Sequence, residues 1–224
     1  MAGGRLERSA GPRAPRALSP AAHRICALMN DLALDRDTAH VAEAIRSDVG
    51  LSYRLLRYAN SPALGLSRRI ESLEQALAVL GRDELRRWLS MLLLGAVQGR
   101  QAARALQELA LSRARLMEGL ARAQGDAPPD VLFATGLLSL LDRLLEMPLA
   151  EALAPLSLAE PSRQALLERS GPWAGYLALT EALEQDDQDA FERLAAPLGG
   201  ADAVMACAEE AWRWAALATR ELGG

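Results

Sequence analysis

Apolar residues recur along this chain at intervals of three and four, the spacing of one helix face. Ser19-Pro20 offers an N-cap followed by proline in the first helical position, and Ile25, Leu28, Met29 and Leu32 then share a face. Asp37-Thr38 caps a second helix through Val41, Ala44 and Ile45. A third carries Leu51, Leu55, Leu56 and Ala59 and stops at Asn60-Ser61-Pro62. Pro62 disfavours an α conformation at Ser61, Asn60 tolerates the left-handed conformation of a C-cap, and Gly65 frees the backbone of the same turn. Ser72 with Gln75 forms a capping box for a fourth helix ending at Leu80-Gly81. Asp83 and Glu84 favour the positive N-terminal end of a fifth, which is apolar almost all round from Trp88 to Val97 and is therefore expected at the centre of a bundle.

A long helix over 101–124 turns Leu106, Leu109, Ala110, Met117 and Leu120 inward, with Arg113 on the same stripe, there snorkelling or paired with a carboxylate. The pattern predicts one buried helix over 131–146. Beyond Pro148 it predicts short helices split by Pro155, Pro161, Gly171-Pro172 and Gly199-Gly200. In the acidic run 184–189 the carboxylates cap the helix of Phe191. A last helix over 201–222 places Val204, Ala208, Ala211, Trp212 and Ala215 on one face and Trp214 roughly opposite. Residues 1–18, rich in Gly, Pro, Ala and Arg without periodicity, are expected to be disordered. The rest, 19–222, reads as one helical domain with a core over 19–148 and a C-terminal extension over 149–222.

Composition strengthens the all-α reading. Half of the 224 residues are apolar but only 4% aromatic. Ala, Leu, Arg and Glu, which lose little entropy in helices, far outnumber the β-branched Val and Ile. All 25 basic residues are arginines, yet the formal net charge is −4, which opposes general nucleic-acid binding. Arg68, Arg69, Arg82, Arg86 and Arg87 form the one basic concentration in the ordered part. With Trp214, they make the candidate interaction surface. Cys26 and Cys207 lie far apart inside apolar patterns and read as buried free thiols. No apolar run reaches the roughly 20 residues of a membrane span, and no signal-peptide pattern opens the chain, which fits a reducing cytoplasm.

Residues 55–62, LLRYANSP, with Gly65, Ile70-Glu71-Ser72-Leu73, Leu80-Gly81 and Arg86-Arg87-Trp88-Leu89 together resemble the HDOD family, the HD-related output domains of bacterial signalling proteins. Asn60, Ser61, Pro62, Gly65, Ser72, Gly81 and Trp88 are the structural positions of that resemblance. The strings GRDELRRWLS and LLSLLDRLLEMPL are similar to the HDOD half of proteins that pair an EAL domain with a C-terminal HDOD domain. The resemblance implies a compact all-α multi-helix bundle. It also implies a non-catalytic regulatory or scaffolding role that works through protein contacts, often in cyclic di-GMP pathways. The implied partner is a protein of such a pathway, of EAL or another cyclic di-GMP type, and no cofactor is implied.

HD phosphohydrolases hold a metal through scattered histidines and an adjacent His-Asp pair, because phosphoester hydrolysis needs a cation to activate water. The segment 134–144 resembles the helix bearing that pair, but Ser139 and Leu140 stand in its place. The only histidines are His23 and His40, read as helix-face residues. No catalytic or metal-binding set is therefore expected. The competing reading is a sensor that holds a small molecule or nucleotide in the vestigial pocket near 136–142. Two Glu-Ala-Leu tripeptides, at 151–153 and 181–183, are chance matches to the EAL signature, since that enzyme class is a barrel of about 250 residues.

Overall fold

The computed structural model describes residues 18–34, 38–66, 68–96 and 101–222. The expected disorder of residues 1–17 and the cap at Asp37 lie outside these residues. Among the described residues there is no strand. The element order is α1 (Pro20–Ala33), α2 (Thr38–Arg46), α3 (Val49–Ala59), a 3-10 turn (Pro62–Leu64), α4 (Leu73–Ala96), α5 (Gln101–Gln124), α6 (Pro129–Leu138) and α7 (Leu141–Leu145). There follow α8 (Leu149–Leu153), α9 (Glu160–Arg163) running into a π-helical turn (Gln164–Glu168), α10 (Ala174–Glu184), α11 (Gln188–Ala195) and α12 (Ala201–Leu222).

Local chemistry sets most of the boundaries. Ser19 Oγ accepts from Ala22 N and Asp48 accepts from Leu51 N, so α1 and α3 begin on side-chain caps. The Leu51 amide chiefly holds the Asp48 carboxyl below its usual range, and Arg24 contributes in the same direction. Asp187 accepts from Ala190 N at the start of α11, as the acidic run predicts. Ser72 Oγ accepts from Gln75 N at the start of α4, while Gln75 reaches back to Glu71 N, one residue earlier than a standard capping box. Residues 73–96 form one helical stretch broken at Gly81, whose φ of 65° and ψ of −177° only glycine adopts readily. The fourth and fifth predicted helices are thus two arms of α4.

Two readings change. The helix expected over 131–146 breaks at Ser139-Leu140 into α6 and α7. The Ser139 hydroxyl donates to the Gly136 carbonyl at 2.6 Å, and Leu140 takes φ −113°, ψ 13°, so the backbone leaves the helix without glycine or proline. Asn60, expected to end α3 in the left-handed region, has φ −95°. It works through its side chain instead. Its amide nitrogen donates to the Leu56 and Ile70 carbonyls and its oxygen accepts from Ile70 N, each at 2.8 Å, which ties the 60–70 turn to the end of α3. The left-handed residue of that turn is Gly65, at φ 58°.

The apolar arm of α4 runs through the core as expected, with Trp88, Leu89, Ser90, Met91, Leu92, Leu93 and Leu94 all buried. The most extensive packing, however, belongs to α5, held between α6 and α12. At the α5–α6 contact a Cβ on Gly136 would stand 2.9 Å from the Ala114 backbone, an approach only glycine permits. Asn30 of α1 holds the loop between α8 and α9: its side chain donates to the Pro155 carbonyl at 2.7 Å and accepts from Ser157 N at 2.6 Å. Cys26 is buried, and burial pushes its thiol up to about 11; Cys207 is half-buried. Among the described residues no helix is long and apolar enough to cross a membrane.

Candidate functional site

Ser139 and Leu140, which the resemblance puts in place of a metal-binding dipeptide, lie where α6 meets α7, against α5 and α10. Ser139 and Leu140 are both buried there. Arg113 of α5, 6% exposed, donates from Nη1 to Ser139 Oγ at 2.9 Å. Its Nε and Nη2 form a two-pronged bond with the Glu184 carboxylate at 2.6 and 2.7 Å, and Glu181 lies 3.6 Å away. Glu181 in turn pairs with Arg169 at 3.0 Å. Of the two predictions for Arg113, pairing with a carboxylate is the one observed. The arrangement directs one donor of an ion-paired guanidinium at the Ser139 hydroxyl, and neither a hydroxyl already bonded twice nor an isobutyl group is a good ligand for a divalent cation.

His23 and His40 lie on exposed helix faces; His23 Nδ1 is 3.2 Å from the Ser19 carbonyl and His40 is 3.5 Å from Asp31. Among the described residues no group of three or more His, Cys, Asp or Glu is arranged to hold a metal. Asp142, in the first turn of α7, has one carboxylate oxygen buried with no hydrogen-bond partner.

The five arginines that sequence groups together divide into two sets. Arg82 is half-buried and donates to the Leu32 carbonyl at 2.7 Å. Arg86 pairs with the buried Asp130 at the start of α6. Arg87 pairs with Glu84 at 2.6 Å and with Glu118, a carboxylate with no solvent exposure, and its guanidinium lies 5.2 Å over the Phe133 ring. These three hold the bundle together and are not a free surface. Arg68 and Arg69 are exposed and have no partner among the described residues.

Trp214 belongs with the interior set. Its ring meets Phe133 edge to face at 5.9 Å and lies under Arg115 at 5.8 Å. Trp212, placed inward by the helical pattern, is 45% exposed. The inward stripe of α12 is Val204, Ala208, Ala211 and Ala215, and Trp214, not Trp212, reaches Phe133.

Sequence reasoning missed Glu118. Besides Arg87 it meets Arg115 at 2.9 Å and Arg122 at 2.8 Å, and Arg115 continues to Glu210 of α12 at 2.7 Å. At the other end Glu84 accepts from the Tyr58 hydroxyl of α3. Burial, then the neighbouring Glu84 carboxylate, raises the Tyr58 phenol well above its usual range. One polar chain therefore links α3, α4, α5 and α12. Its signal in the sequence is the spacing of Arg115, Glu118 and Arg122, three and four residues apart on one helix face.

These features define a class first: an all-helical bundle whose helices are tied together by buried arginine–carboxylate pairs. The HDOD domain family model matches residues 16–164, and the chain belongs to that family. It is 32% identical over 190 residues to the uncharacterized protein YuxH of Bacillus subtilis, which covers 84% of this chain and 46% of that protein. It is also 32% identical over 164 residues to the cyclic di-GMP phosphodiesterase CdgJ of Vibrio cholerae, covering 73% of this chain and 38% of that protein. The chain thus spans less than half the length of these curated relatives. No solved structure gives a significant match.

Proposed function

We propose that this HDOD domain is a non-catalytic module of bacterial signal transduction that acts in the cytoplasm by docking a protein partner. The observation that carries this reading is Arg113: its guanidinium, fixed by Glu184, sits on the hydroxyl that replaces a metal-binding dipeptide. That hydroxyl, already engaged by Arg113 and the Gly136 carbonyl, is a poor ligand for a metal that would activate water, which supports the reading. A cyclic di-GMP setting is supported by the name of the Vibrio relative. The similarity reaches only 38% of that protein, so its phosphodiesterase activity has ample room outside the shared part.

The test is turnover. Purified protein with Mn2+ or Mg2+ is expected to release no product from p-nitrophenyl phosphoesters or cyclic dinucleotides beyond the metal-only blank. Metal-dependent hydrolysis that disappears in Asp142→Asn would overturn the reading. A second reading, a small-molecule sensor at 136–142, is favoured by one observation, the buried unpartnered oxygen of Asp142. Calorimetry against cyclic dinucleotides separates the two, because only a sensor releases heat that Asp142→Asn abolishes.

A further inference from the structure

A cleft of about 830 Å3 opens between the end of α3 and the 60–71 turn, on the opposite side of the Asn60 clamp from the core. It is lined by Arg57, Arg68 and Arg69, with Glu71 the one acid in its wall, although the whole chain is net negative. Arg68 and Arg69 are exposed and unpaired among the described residues. Beside them stand apolar groups that a folded surface ordinarily covers: Tyr53 is 65% exposed and Leu66 40% exposed, with Leu56 and Ile70 beneath. Ser61 completes the wall, its hydroxyl oxygen buried with no hydrogen-bond partner. The bonds of Asn60 hold Ile70, next to Arg69, against the end of α3.

We infer that this cleft receives a short acidic segment of a partner protein bearing a large apolar or aromatic side chain. Carboxylates of the segment pair with Arg68 and Arg69, and the apolar side chain covers Tyr53 and Leu66. A long polyanion is disfavoured because the net charge of −4 on the whole chain opposes it. A small phosphorylated ligand gains its affinity from enclosure, which an open groove with exposed tyrosine and arginines does not supply. This inference rests on the interaction-module reading and names the partner chemistry for it.

The experiment selects phage-displayed random dodecapeptides on the full chain and on an Arg68→Glu/Arg69→Glu variant, which should fold normally because neither side chain has a partner among the described residues. Peptides combining Asp or Glu with Trp, Phe or Leu should be enriched on the unaltered protein. They should bind it about tenfold or more tighter than the variant, with affinity falling as salt rises. No enrichment, or enriched peptides that bind both proteins equally, would overturn the inference. So would displacement of the peptides by pyrophosphate or a cyclic dinucleotide that itself binds more tightly, which would make the cleft a nucleotide site. Self-association in sedimentation that the variant loses would instead assign the cleft to the acidic 184–189 corner of a second copy. Metal-dependent turnover with peptide binding intact sinks the non-catalytic reading alone; absent peptide binding with absent turnover sinks this one alone.

Discussion

Glu118 is the residue at which the buried charges of the bundle meet. Its carboxylate is wholly buried and is neutralised by guanidiniums from two directions, Arg87 on α4 and Arg115 and Arg122 on its own helix. A buried pair contributes little relative to a well-packed apolar substitute, but removing one partner leaves the other charge stranded. Arg87 keeps Glu84 at 2.6 Å, but its Nη2 would join a buried Nε that already has no partner. Glu118→Ala is expected to lower the unfolding free energy by about 3–5 kcal/mol, read from urea denaturation. A midpoint equal to that of the unaltered protein would show that solvent reaches Arg87 freely. The sequence displayed the spacing of these charges but not their burial. Arg86 and Arg87 look like a solvated face when counted along one helix, and only the position of α5 and α6 shows that Glu118 and Asp130 meet them.

Among the elements, breaks marked by glycine or proline could be read directly, and breaks made by side chains could not. Gly81, Gly65 and Pro62 each appear in the chain where the backbone turns. The end of α6 was invisible because Leu137 to Leu145 keeps a helical apolar pattern across it, and the bond from Ser139 to Gly136 that ends it is a matter of rotamer. The α5–α6 contact shows the same limit: Gly136 inside a helix hints at close approach but not at which neighbour. Gly136→Ala would force α6 away from the Ala114 backbone and loosen the bond from Arg113 to Ser139 together with it. A loss of about 1–3 kcal/mol is expected in urea denaturation, in spite of the higher helix propensity of alanine. A stabilised variant would mean that the two helices separate at no cost.

Across the whole molecule, the all-α class and the order of the helices followed from periodicity, whereas the partner of each helix did not. The all-apolar arm of α4 was the natural candidate for the centre, and it is buried, yet α5 makes the broader contacts, with α6 on one side and α12 on the other. α5 earns no such place from its sequence, which carries Arg113, Arg115 and Glu118 among its apolar positions; those charges are accommodated because α4, α10 and α12 each bring a countercharge. The family match stops at residue 164, inside the joint between α9 and the π-helical turn, and leaves out α10, α11 and α12. Cutting the chain there removes Glu184 from Arg113 and Trp214 from Phe133, and uncovers the side of α5 that Val204, Ala208, Ala211 and Ala215 now seal. A fragment of residues 18–164 is expected to lose its cooperative thermal transition and to bind a hydrophobic dye, while 18–222 keeps a single sharp one. A sharp transition in the shorter fragment would show that the last helices are an ornament. Anyone excising this domain for use elsewhere should therefore cut by its walls and not by its family resemblance: the portion that kinship recognises is a room whose rear partition is supplied by the portion it passes over.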